Sequence, residues 1–173
     1  MRSVGLVLLI TAVMLPFAVG QTPDPLEARL KRVFPAATSF SPKQAGPPPH
    51  FIAYVGAPNS RTIAGYAFWT TELEPLERGY DGPIKMLVGV DTKGILTGVV
   101  VTGHSEPYGY FSVDRPEFAA QFKGKDIRDP FKVRGDVDGV STATISITSA
   151  SRAIRNASRR IARALMTPPG ATK

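Results

Sequence analysis

Apolar residues recur along this chain with two different periods. Leu26, Leu30 and Val33 stand at i, i+4 and i+7, with Asp24 as a candidate N-cap and Pro35 as a stop, which predicts a short amphipathic helix. Residues 39–49, SFSPKQAGPPP, carry too much Pro, Gly and Ser to continue a helix or enter a central strand, and read as a loop. Phe51 to Val55 and Ile63 to Thr70 are rich in aromatic and β-branched residues, with Gly56, Pro58 and Asn59 between them; they predict a hairpin. After the polar, turn-rich residues 72–83, Ile84 to Val90 and Ile95 to Thr102 predict two stronger strands joined at Asp91-Thr92-Lys93-Gly94. Four strands linked by short turns should pair antiparallel. Phe68 and Trp69, adjacent on one strand, should face opposite sides of the sheet and serve the core.

Phe118 to Phe122, between Arg115-Pro116 and Gly124, predicts a helix fragment, and residues 125–137 suit a short strand or an extended segment. The last element begins after Ser141 and runs to about Met166. Its apolar positions Ile147, Ile154, Ala157, Ile161, Ala164 and Leu165 keep helical spacing, while Arg152, Arg155, Arg159 and Arg163 form a second stripe. The expected fold class is α+β, a mainly antiparallel sheet packed with a long C-terminal helix and shorter helices.

Composition narrows the function. The chain has 173 residues, a formal charge of +7, two His and no Cys, so disulfides, thiolate metal sites, c-type haem and cysteine nucleophiles are excluded. Much of the excess charge sits in residues 151–173, which hold six basic residues and no acid. That stripe reads as a solvated helix face or as a docking surface for an acidic partner or anionic lipid. Residues 1–20 have Arg2, an apolar run broken by Pro16, and Ala18-Val19-Gly20 before Gln21, the layout of a secretory signal peptide, with an uncleaved membrane anchor as the rival reading. The expected organisation is a signal peptide (1–20), an N-terminal helix and Pro-rich loop (21–49), one domain (50–166) and a disordered tail (167–173). No hydrolase triad, P-loop or dinucleotide fingerprint is present, and nothing recommends nucleic acid as a partner.

Asp138-Gly139-Val140-Ser141-Thr142-Ala143-Thr144 is a hydroxyl-rich turn feeding the last helix, a place where backbone N–H groups and the helix dipole favour an anion such as phosphate, although Ser and Thr are also ordinary caps. The segment resembles the Asp-x-x-(Ser/Thr)-Gly-Ala-Thr motif of the FMN-binding domains related to NosR and RnfG. Asp138, Ser141 and Ala143 match, and Thr144 falls where that family carries FMN on a threonine through a phosphoester bond made from FAD by a flavin transferase. Thr142 departs from the family's Gly, and its side chain adds bulk at that point. Gly79-Tyr80-Asp81-Gly82-Pro83-Ile84, Val88-Gly89-Val90-Asp91, Gly94-Ile95-Leu96-Thr97-Gly98-Val99 and His104-Ser105-Glu106-Pro107 follow in the order shown by the NosR-like domain, so the resemblance covers roughly residues 50–166.

His104 and Glu106, two apart at the end of a predicted strand, would share one face and pair with solvent or with each other; the resemblance places them beside the flavin. Tyr80 and Gly82 lie on a turn where the tyrosine either plugs a core edge or touches the flavin, and Tyr108 and Tyr110 either cover an aromatic ring or close their loop. Taken together, the resemblance implies an exported, periplasmic flavoprotein, tethered to the membrane if the signal segment stays uncleaved. It would carry electrons through covalent FMN to an unidentified redox partner protein. The alternative is a binding or assembly module that has lost the cofactor.

Overall fold

A computed structural model describes residues 25–166; the signal segment and the tail expected from the sequence lie outside the described residues. Five strands, β1 (Ser39–Phe40), β2 (Phe51–Val55), β3 (Thr62–Trp69), β4 (Lys85–Asp91) and β5 (Leu96–Gly103), form one antiparallel sheet in sequence order. The two predicted hairpins are present, and β3 and β4 join them with Phe68 opposite Val88 and Trp69 opposite Leu87. β1 falls within the stretch read as a loop: Ser39 and Phe40 pair with Tyr54 and Ala53, too short a run to leave a periodicity.

Alternation along the strands supplies each face of the sheet with its own core. Ala67, Trp69, Leu87 and Val100 pack with Leu30 and Val33 of α1 (Pro25–Val33). That helix ends hard against the sheet, because Gly89 and Gly98 leave room for it: a Cβ on Gly89 would lie 2.5 Å from Val33 O and one on Gly98 3.0 Å from it. Phe68, Met86, Val88 and Leu96 project to the other face, against Ile147, Ile154 and Ile161 of α4 (Thr144–Ile161). Phe68 and Trp69 thus serve opposite cores, as expected from adjacency on a strand. Full burial of each of these isoleucines contributes about 1.5–3 kcal/mol, while Ala150, Ala153 and Ala157 keep the helix close to the strands.

Short α2 (Thr70–Leu73) continues directly from β3, and α3 (Pro116–Ala120) occupies the position of the predicted helix fragment. Phe122 meets Phe118 edge-on and stacks on Phe131 within the α4 core. The segment after α3 joins the sheet in a single bridge, Ile95 to Asp126, and packs Phe131 and Val137 into the core; residues 125–137 are mostly turns. A 3₁₀ turn at Ser141–Ala143 leads into α4 and a π turn at Ala162–Met166 ends it; the predicted helix is therefore three consecutive pieces. Among the described residues no helix is long and apolar enough to cross a membrane.

Candidate functional site

The start of α4 is open by construction. A helix leaves its first N–H groups without intrahelical acceptors, and here the N-cap is Ala143, which offers no side-chain cap. Thr144, the first helical residue, is half-buried, and its hydroxyl reaches only Val140 O at 3.3 Å and Ser141 O at 3.4 Å, both long for an O–H···O bond. The hydroxyl is therefore weakly held. Ser141 and Thr142 beside it are exposed and Ala143 is buried. Positive φ outside glycine occurs, among the described residues, only at Phe131 and Arg134, so the backbone at Thr142 imposes no need for glycine.

Two concavities meet at Thr144. One, about 250 Å³, lies between residues 141–146 and the side chains of Tyr80, Pro107 and Tyr108. Tyr80 is 71% exposed and Tyr108 51%; Tyr80 plugs no core edge, and both rings offer apolar faces to a flat ligand. The other, about 420 Å³, runs from Thr144 and Thr148 past Lys132, Arg134, Arg152 and Arg155. The attachment position predicted from the motif thus sits between an aromatic wall and a basic one.

Each wall is fastened by a carboxylate. Glu106 is buried and accepts from the Tyr80 N–H at 2.9 Å, the Asp81 N–H at 3.1 Å and, through a short hydrogen bond, the Ser146 hydroxyl of α4. Burial opposes its charge, but the Ser146 hydroxyl and the two N–H groups outweigh burial and hold its carboxyl below the usual carboxylate value. Asp136 does the same for the basic wall: it accepts from the N–H groups of Lys132 at 2.6 Å and Phe131 at 3.1 Å and from Lys125 Nζ at 3.2 Å. Burial again opposes ionisation, and these donors again bring the carboxyl below its ordinary value. The left-handed backbone at Phe131 and Arg134 is held in this turn.

The remaining expected residues fall around this frame. His104 accepts the Glu106 N–H on Nδ1 at 3.0 Å and so carries its proton on Nε2, facing Asp114 Oδ1 at 2.8 Å. It stands behind Glu106 and is not among the residues lining the aromatic cleft. Gly82 is buried and its carbonyl closes the turn by accepting the Gly79 N–H. Asp138 is exposed outside both clefts, its N–H donating to Gln121 Oε1 at 2.8 Å. Ser146, Lys132 and Arg134 do not stand out in the sequence; a serine inside a helix and two cations in a turn carry no distinguishing pattern.

The arginine stripe of α4 is largely engaged within the chain. Arg152 pairs with Glu77 and Arg160 with Glu74. Arg159 donates to the carbonyls of Ile127, Arg128 and Asp129, and Arg155 to that of Pro130. These side chains tie loops to the helix.

Residues 79–159 match the model of the FMN-binding domain family. Over 143 residues the chain is 28% identical to a subunit of the ion-translocating oxidoreductase complex of Vibrio vulnificus, covering 76% of this chain and 65% of that protein. The same-named protein of Pseudomonas aeruginosa is 32% identical over 136 residues, 70% of this chain and 59% of that protein, and that of Shewanella baltica 33% identical over 89 residues, 46% of this chain and 42% of that protein. In each case the match spans less than two thirds of the relative's length. The matched segment includes both carboxylate-fastened turns and Thr144, and over it the chain is similar to the FMN-binding domain family.

Proposed function

We propose that this protein is an exported electron carrier whose FMN is held covalently on Thr144. The observation that carries the reading is the placement of a weakly held threonine hydroxyl at the uncapped start of α4, between an aromatic cleft and a basic one. The residues fit the group. Tyr80 and Tyr108 offer faces for a flat ring, while Lys132, Arg134 and the first turn of α4 offer positive potential to a phosphodiester. Bound FMN supplies electron exchange at its ring; the chain supplies attachment, orientation and the local field.

Attachment is a phosphoryl-group transfer without change of oxidation state. In a flavin transferase, Thr144 Oγ forms a bond to the phosphorus of the FMN half of FAD, the P–O bond to the AMP half breaks, AMP departs, and the hydroxyl proton is lost to a base. Asp138, Ser141, Thr142 and Ala143 then form the segment that the transferase grips. The relatives named as subunits of an ion-translocating oxidoreductase complex support a redox protein partner for this chain as well. The apolar run and small residues of positions 1–20 support export, where a tethered cofactor is not lost by dissociation.

Co-production with a flavin transferase tests this reading. The wild-type chain should run as a flavin-fluorescent band on a denaturing gel and Thr144→Ala as a dark one. Fluorescence that persists in Thr144→Ala overturns the attachment site, and a dark wild-type band favours a binding module without covalent flavin.

A further inference from the structure

Glu106 has the residue type of a flavin ligand but not the freedom of one. Only 6% of the residue is exposed, and both oxygens are engaged, Oε2 by the Tyr80 N–H and the Ser146 hydroxyl and Oε1 by the Asp81 N–H. Those two N–H bonds are, among the described residues, the only hydrogen bonds by which residues 79–82 reach the rest of the chain. We propose that Glu106 is a positioning residue: its carboxylate fastens the Gly79–Gly82 turn to the first turn of α4 and so holds the Tyr80 ring as one wall of the cleft beside Thr144. This rests on the flavin reading for the purpose of the wall, while the fastening itself stands on the geometry.

Two close approaches show how tightly the joint is built. A Cβ on Gly79 would lie 2.4 Å from Glu106 Oε1, and one on Gly109 would lie 2.1 Å from His104 Cε1. Side chains are thus excluded where the turn meets the carboxylate and where the 109–111 turn covers the imidazole. His104, held by Asp114, accepts the Glu106 N–H and fixes the peptide from which the carboxylate projects. Three segments distant in sequence converge under Thr144 through one side chain. A carboxylate suits this junction because it accepts from all three donors at once, whereas an amide turns its N–H₂ toward one of them. Its charge also lies near the positive end of α4.

Glu106→Gln tests the proposal in two states of the protein. In the unloaded protein, amide hydrogen exchange at Tyr80 and Asp81 should quicken about tenfold, as expected for loss of a charge-assisted hydrogen bond, with the β4 amides unchanged; unchanged exchange at Tyr80 and Asp81 overturns the fastening. In the FMN-loaded protein, a tyrosine against the ring quenches flavin fluorescence by donating an electron to the excited state. Tyr80→Phe should therefore brighten the flavin, Glu106→Gln should do the same, and the double variant should add nothing further. A bright Tyr80→Phe beside a Glu106→Gln as dim as wild type overturns the link from Glu106 to the ring, and a Tyr80→Phe as dim as wild type overturns the wall. If Glu106→Gln does not fold, Ser146→Ala severs the helix side of the joint alone: brighter flavin supports the proposal and unchanged fluorescence contradicts it. Failure to load flavin at all would refute the attachment reading, while amide exchange still decides the fastening.

Discussion

The start of α4 and its C-terminal half are built for different ends. From Ile154 to Ile161 the helix buries Ile154, Ala157 and Ile161 against the sheet, and Arg159 and Arg160 tie its outer face to a loop and to Glu74. At its start, by contrast, the preceding 3₁₀ turn exposes Ser141 and Thr142, Ile145 is exposed, no side chain caps the helix and the Thr144 hydroxyl is weakly held. The start of the helix is held from below by buried Ala143 and Ile147 and from the side by Glu106, which accepts from the Ser146 hydroxyl. The difference teaches where chemistry can be accommodated: the apolar body of the helix fixes it on the sheet, and the exposed turn at its start leaves room for a ligand beside Thr144, as the proposed attachment requires.

If that division is correct, substitutions should separate cleanly by region. Ile154→Ala removes a fully buried side chain and should lower unfolding free energy by about 2–5 kcal/mol in urea titration, with flavin attachment unaffected at temperatures where the fold survives. Arg159→Ala leaves three loop carbonyls without their donor, and a loss of about 1–2 kcal/mol is expected from the same titration. Arg152→Ala breaks an ion pair at the surface, and its effect should stay below about 1 kcal/mol and shrink with added salt. Thr144→Ala should change stability least, by under about 0.5 kcal/mol, while abolishing attachment. A destabilisation by Thr144→Ala as large as that of Ile154→Ala would break the comparison.

Acid should act first on the loops beside the start of α4. Glu106 and Asp136 both have carboxyls held below their ordinary values in the folded chain, so the stability they confer is present above the unfolded values of 4.5 and 3.8 and is lost as pH falls through the lowered folded ones. Amide exchange at Tyr80, Asp81, Phe131 and Lys132 should therefore rise in that range before exchange in β3 and β4. Uniform loosening of sheet and turns together would contradict the assignment.

The elements that own their periodicity are legible in the sequence: both hairpins, α1, and the apolar face of α4 follow from residues a few positions apart. The hydroxyl-rich turn at the start of α4 stands out in the sequence through its motif. The role of the arginine stripe is not legible, because its spacing fits a solvated face equally well, and the partners of Arg152, Arg155 and Arg159, Glu77 and the carbonyls of residues 127–130, come from other segments. For the same reason the sequence brings Glu106 and Tyr80 to the site without the bond between them: Tyr80 and Ser146 lie 26 and 40 residues from Glu106, and only the folded sheet brings them within reach.

The central claim is that Thr144 bears FMN, and the most direct measurement is the intact mass of the denatured protein after co-production with a flavin transferase, followed by fragmentation of the peptide containing residues 138–146. The expected result is a gain equal to FMN less one water, located on Thr144. An unmodified mass, or the same gain on Ser141, Thr142 or Ser146, would contradict it.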